Sequence, residues 1–184
     1  MKRNRGFTLL ELLVVIGLIA VLAVIVVWAV QSAREKAKIA HTVTQIKEVN
    51  NATALYYSDT GVFPPNCGLT CTALTDPYIT SLGVLGWRGP YMTSGVWNLK
   101  HAWGGHFSVE RSDVTGDGIV DAYFFLDEDA PGTNYSNNSG VIPTSALLKI
   151  DTMLDDGNLA TGSVRGNGLG FTTAAGEIVI LFRP

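Results

Sequence analysis

The sequence predicts an α+β fold: one long N-terminal helix laid on a small antiparallel sheet. Three observations carry this. An apolar run with no charge and no proline extends from residue 12 to residue 30, and an amphipathic stripe follows it. Short strand-like segments come only after residue 100, separated by turn residues. The 20 glycines gather in the second half, which favours loops and turns over a helical bundle.

The elements follow in order. Residues 7 to about 57 read as one continuous helix. At 1.5 Å rise per residue, about 20 apolar residues span the roughly 30 Å hydrocarbon core of a bilayer, so its first half is a membrane-span candidate. Glu11 sits near the start of that run. An acidic group within an apolar span costs on the order of 2.5–3.5 kcal/mol, which marks it as functional until a partner is named. Beyond the span, Ile39, Val43, Ile46 and Val49 recur at spacings of three and four, one face for a globular domain to cover. Asp59-Thr60-Gly61 ends the helix, and Pro64-Pro65 prevents its resumption.

Residues 67–87 read as an irregular connection. Residues 107–111 and 121–126 read as strands around a tight loop, and 129–140 as a long loop. A short helix is expected after Pro143, capped by Thr144 or Ser145. Its apolar face would be Leu147, Leu148, Ile150, Met153 and Leu154, with Gly157 closing it. Residues 171–182 read as a terminal hairpin turning at Ala174-Ala175-Gly176.

Lys2, Arg3, Arg5, Gly6, Phe7, Thr8, Leu9, Leu10 and Glu11 resemble the class III signal of the type IV pilin superfamily, which includes pilins and the pseudopilins of type II secretion. A secretory signal would have an apolar core of about 7–15 residues and a small-residue cleavage site. This run is longer, and no such site follows it. The resemblance implies the type IV pilin fold, cleavage after Gly6 by a prepilin peptidase, and N-methylation of Phe7. It also divides the chain into a leader (1–6), a membrane and filament-core helix (7–30) and an extracytoplasmic globular domain (31–184). The basic leader fits a cytoplasmic N-terminus. Arg34, Lys36 and Lys38 after the span weaken the charge asymmetry, and the leader motif decides the orientation.

Three further segments resemble the major pseudopilin of type II secretion: 57–64, with its Asp59-Thr60-Gly61-Val62-Phe63-Pro64 turn, Trp87-Arg88-Gly89-Pro90-Tyr91, and Trp103-Gly104-Gly105-His106-Phe107. In the third, His101-Ala102 stand where that family has Asp-Pro. The tryptophans read as half-buried core aromatics. Pilins often carry a proline within the membrane half of the helix. Here Trp28 occupies that neighbourhood, and Gly17 is the one weak point of the span.

Net charge is −3, and −6 once Lys2, Arg3 and Arg5 are removed from the 13 basic residues. An acidic domain argues against nucleic acid. His41, His101 and His106 are scattered, and no nucleophile triad or phosphate loop accompanies them, so an enzyme is not expected. Cys67 and Cys71 would form a local disulfide in an oxidising compartment; a metal pair is the alternative.

Asp113-Val114-Thr115-Gly116-Asp117-Gly118-Ile119-Val120-Asp121 has the spacing of the first nine positions of an EF-hand loop. Asp113, Thr115, Asp117, the Ile119 carbonyl and Asp121 are the expected Ca2+ ligands. Phe124 stands where an EF-hand has its bidentate Glu, so Asp127, Glu128 or Asp129 would complete the shell. The pseudopilin resemblance also implies calcium in this region. Residues 150–158, Ile150-Asp151-Thr152-Met153-Leu154-Asp155-Asp156-Gly157-Asn158, resemble an element recurring in prepilin-like proteins and read as a helix end with a polar turn.

The expected function is a structural subunit of a type IV-like filament, a pseudopilin or a pilin, made as a bacterial inner-membrane precursor and then periplasmic or extracellular. Its expected partners are its own copies in a helical homopolymer, other pilins or pseudopilins, the peptidase and the inner-membrane assembly platform. In the filament, Glu11 would pair with the Phe7 amine of a neighbouring subunit. The alternative is a minor or tip pilin, or a membrane-anchored extracytoplasmic binding protein.

Overall fold

The apolar run and the amphipathic stripe lie on one helix, α1 (Leu9–Thr60), in the computed structural model of the chain, which describes residues 8–68, 71–127, 141–166 and 176–182. Two compact units divide the chain, Met1–Ala37 and Lys38–Pro184. In the first, large apolar side chains from Leu9 to Val30 are exposed, and Trp28 is 77% exposed. This is the one helix among the described residues long and apolar enough to cross a membrane.

The second unit holds β1 (Phe107–Ser112), β2 (Asp121–Leu126), α2 (Thr144–Leu154), β3 (Val164–Gly166) and β4 (Ile178–Leu181). The sheet order is β1-β2-β4-β3, every pair antiparallel, so the last strand is inserted between β2 and β3. Strand alternation sorts its side chains. Phe107, Val109, Phe124, Leu126, Ile178 and Ile180 share one core with Ile39, Val43, Ile46 and Val49 of α1 and with Ala146, Leu147 and Ile150 of α2. On the other face Tyr123, Val179 and Leu181 cluster with Val114, which anchors the 113–120 loop against the sheet.

The end of α1 is as expected. Gly61 has φ 72°, and its N–H donates to the Tyr57 carbonyl at 2.8 Å. Two sequence expectations about α2 are corrected. Its N-cap is Pro143, with no side-chain cap, and the Pro143 carbonyl accepts the Ala146 and Leu147 amides. Its inward stripe is Ala146, Leu147, Ile150 and Asp151, while Leu148 and Met153 are 42% and 55% exposed. At about 100° per residue, 147, 150 and 151 fall within one arc of about 100°, and 148 and 153 each lie about 60° beyond an end of it. β3 was not expected from the sequence. The 129–140 loop and the turn at 174–175, with the first strand of the expected hairpin, lie outside the described residues.

The aromatic segments meet one another. The Tyr91 hydroxyl donates to Asp59 at 2.9 Å, and its ring packs edge-on against Tyr56 (5.5 Å) and Trp87 (5.6 Å). The helix end and the Trp87–Tyr91 segment are therefore one joint. The third segment locks β1 to the end of β2. The Asp127 carbonyl can only accept, so His101 donates to it from Nε2 at 2.9 Å. His101 Nδ1 then accepts the Trp103 amide at 3.3 Å. That leaves no place for a second ring proton. Burial pushes the His101 pKa down to about 4; the Asp127 hydrogen bond partly opposes this, and His106 adds to it.

The unfolded chain, with a histidine near 6.5, thus binds the proton that the folded chain refuses. Stability is unaffected by this group above about pH 6.5 and falls as pH drops from there to about 4. The expected loss is on the order of 3 kcal/mol. His101→Gln keeps a donor and an acceptor but does not titrate. Chemical denaturation across pH 7 to 4 should show a shallower decline for it than for the native chain; equal slopes would assign the acid sensitivity elsewhere.

Candidate functional site

At the N-terminus, Gly6 and Phe7 lie outside the described residues. Glu11 is in the first turn of α1. The Thr8 amide and hydroxyl each donate to Glu11 Oε2 at 2.9 Å, and the Glu11 amide donates to Thr8 Oγ1 at 3.2 Å. This is a capping box, Thr8 as N-cap and Glu11 three positions on. The signature was present in the sequence as Thr-x-x-Glu. It fixes the carboxylate at the start of the helix, where the free amide groups favour negative charge.

Cys67 and Cys71 are joined in a disulfide, their Cα atoms 4.9 Å apart. Cys67 exchanges backbone hydrogen bonds with Val109, 2.7 and 3.1 Å, along the side of β1 that faces away from β2, where the Phe107 amide also donates to Leu99. The bridge therefore pins the connection that covers a sheet edge, and with both thiols consumed it leaves no metal pair.

The 113–121 loop connects β1 to β2. Its carboxylates organise its own backbone. Asp113 Oδ1 and Oδ2 accept the Gly116 and Gly118 amides at 2.6 and 2.8 Å. Asp121 Oδ2 accepts the Val114 and Thr115 amides at 3.0 and 3.1 Å, and the Thr115 hydroxyl at 3.3 Å. Asp117 accepts the Ile119 amide at 2.8 Å. Gly118 has φ 83° at the position where an EF-hand loop has its glycine. The donor set is all oxygen and suits a hard cation, and an oxygen holding one amide keeps a second lone pair. The three carboxylates nonetheless are not gathered: they form no group with oxygens within 4.8 Å of one another, whereas Asp151, Asp155 and Asp156 do. Asp127 is buried, with its carbonyl taken by His101, and Glu128 and Asp129 lie outside the described residues.

An uncovered apolar helix with a capped glutamate at its start, followed by a helix-on-sheet domain, is the arrangement that the leader motif implies. The prokaryotic N-terminal methylation motif matches residues 1–27, and the family described as PilW, C-terminal, matches residues 33–123. Both matches support the type IV pilin superfamily for this chain. The chain is also similar to the type II secretion system core protein G of Vibrio cholerae serotype O1, 39% identical over 64 residues. That stretch is 35% of this chain and 44% of that protein, so the chain spans less than half the length of the curated relative it matches. No solved structure matches the chain. These relatives are pilin and secretion-system proteins rather than enzymes.

Proposed function

We propose that the chain is a structural subunit of a type IV-like filament, a pseudopilin of type II secretion or a pilin. The observation that carries this is the methylation motif placed directly on a helix whose apolar side chains from Leu9 to Val30 are all uncovered. Such a surface needs either lipid or copies of itself. The precursor spans the inner membrane with its N-terminus cytoplasmic. Prepilin peptidase cuts after Gly6, and Phe7 becomes the methylated first residue. The subunit then passes through the assembly platform into a helical homopolymer, alone or with other pilins or pseudopilins. In that core the Glu11 carboxylate pairs with the Phe7 amine of a neighbour and sets the axial register. A second reading, a minor or tip subunit, is favoured by the PilW match on residues 33–123.

The processing step is tested by co-expressing the chain with a prepilin peptidase and weighing the product. The expected mass is that of a chain starting at methylated Phe7, and Gly6→Pro should leave Met1 in place. An uncut native chain would remove the filament reading.

Calcium belongs to the same proposal. Bound by Asp113, Thr115, Asp117, the Ile119 carbonyl and Asp121, it would hold the loop that Val114 anchors to the sheet. Binding would require the Asp117 and Asp121 carboxylates to turn toward Asp113. A ligand that binds only the folded state must raise its stability. The native chain should melt several degrees higher in millimolar calcium than in chelator, and Asp117→Ala should lose much of that difference. Identical midpoints for the native chain in the two conditions would remove calcium from the account.

A further inference from the structure

The Asp151–Asn158 segment takes no part in the filament reading, yet among the described residues it holds a buried carboxylate with neither oxygen hydrogen-bonded. Asp151 lies on the inward stripe of α2 and is 0% exposed. Both of its carboxylate oxygens are buried without a hydrogen-bond partner. A buried polar group left unsatisfied destabilises the fold, and more so if it is charged. Burial raises its pKa to about 6; the Gly157 amide, which faces it outside hydrogen-bonding geometry, opposes the shift, and Asp156 and Asp155 add to it.

Two more carboxylates stand beside it. One oxygen from each of Asp151, Asp155 and Asp156 lies within 4.8 Å of the other two. The two neighbours are held in place from the far side. Asp155 Oδ2 accepts the Ser163 and Val164 amides, at the start of β3. Asp156 Oδ1 accepts the Asn158 amide at 2.8 Å, and Oδ2 accepts the Thr161 hydroxyl at 2.7 Å. Gly157, φ 79°, makes the turn that brings 156–161 around. At Gly162, φ 74°, a Cβ would strike the Asp155 carboxylate. The backbone is therefore built to hold negative groups together, and among the described residues the positive charge acting on Asp156, that of Arg165, is the least of its influences.

We propose that Asp151, Asp155 and Asp156 bind a hard divalent cation of the calcium class at the junction between α2 and β3. A cation meets the unsatisfied oxygens of Asp151 and removes the repulsion among the three groups. All-oxygen, carboxylate-rich donors select calcium or magnesium over zinc or copper. Asp155 and Asp156 are solvent-exposed, so water can complete the six to eight oxygens that calcium takes. The site would tie the end of α2 to the start of β3, the short strand beside β4. It does not depend on the 113–121 loop or on the filament reading.

The test uses the full chain in detergent, made free of divalent ions, with Asp117→Ala as the parent to weaken the other candidate loop. Calcium alone is titrated by calorimetry, and thermal midpoints are read in calcium and in chelator. The parent is expected to bind one calcium and to melt higher in its presence. Adding Asp156→Asn, at an exposed position, should weaken binding at least tenfold and abolish the rise. Adding Asp151→Asn should do the same, yet leave the midpoint in chelator no lower than the parent's, because the amide carries no buried charge. A parent that binds no calcium, or Asp156→Asn binding as tightly as the parent, overturns the site.

Discussion

Gly105→Ala should lower the thermal midpoint of the domain by roughly 10 °C and release the end of β2. A Cβ at residue 105 would occupy the space of the Asp127 carbonyl and of His101 Nε2. Both are fixed. The Asp127 amide donates to the His106 carbonyl at 2.9 Å, and the His101 amide donates to the Gly105 carbonyl at 3.0 Å. The clash cannot be relieved by rotating a flexible side-chain tip. Overpacking of this kind costs about 1–3 kcal/mol, and loss of the buried His101–Asp127 hydrogen bond costs about 1–3 kcal/mol more. For a unit of this size each kcal/mol moves the midpoint by about 2–4 °C. Differential scanning calorimetry reads the shift directly. A fall of less than about 2 °C would mean that the 101–107 segment moves aside, and the lock described between it and Asp127 would be wrong. Gly116→Ala is the control. Its Cβ would meet nothing within 4 Å, so the strain of φ 75° alone acts there and the loss should be smaller.

Glu11→Val should leave cleavage after Gly6 intact and cut incorporation into filaments at least tenfold. The reasoning separates two roles of one carboxylate. Within its own chain Glu11 closes the capping box with Thr8. Loss of that cap costs about 1 kcal/mol, enough to fray the first turn. Between chains it is proposed to answer the Phe7 amine. Thr8→Ala breaks the first role and spares the second, so Thr8→Ala subunits should still assemble well. Co-expression of tagged variants with untagged native subunits, followed by shearing and quantitation, gives the ratio. Equal defects in the two variants would make helix capping, not pairing, the important property.

How much of this was legible in the sequence depends on whether a feature was local. The amphipathic stripe at residues 39–49 follows from spacing alone, and the strands 107–112 and 121–126 follow from β-branched and aromatic runs bounded by turns. The stop at Gly61 follows from the need for positive φ. What escaped was set by distant partners. β3 is three residues long and carries no periodic signal, and it becomes a strand because β4 offers an edge. α2 turns a carboxylate, Asp151, into the core and leaves Leu148 and Met153 outside, against the simple binary pattern. Asp155 stands one helical turn after Asp151, its amide donating to the Asp151 carbonyl at the end of α2, and the sequence shows that segment only as a helix end. His101 stands where the resembling family has Asp, and its role depends on a carbonyl 26 residues away. The 113–121 motif gave the residue types of a cation loop, but not whether their carboxylates converge or cap the loop's own amides.

The most direct test of the central claim is whether the chain polymerises through its N-terminal helix. Cells carrying an epitope tag on the C-terminus of this chain can be sheared, and the released material imaged with a gold-labelled antibody and weighed by mass spectrometry. The account predicts label along thin filaments whose subunits begin at methylated Phe7. Label confined to the membrane fraction, on subunits that still begin at Met1 under conditions where the filament machinery is active, would contradict it.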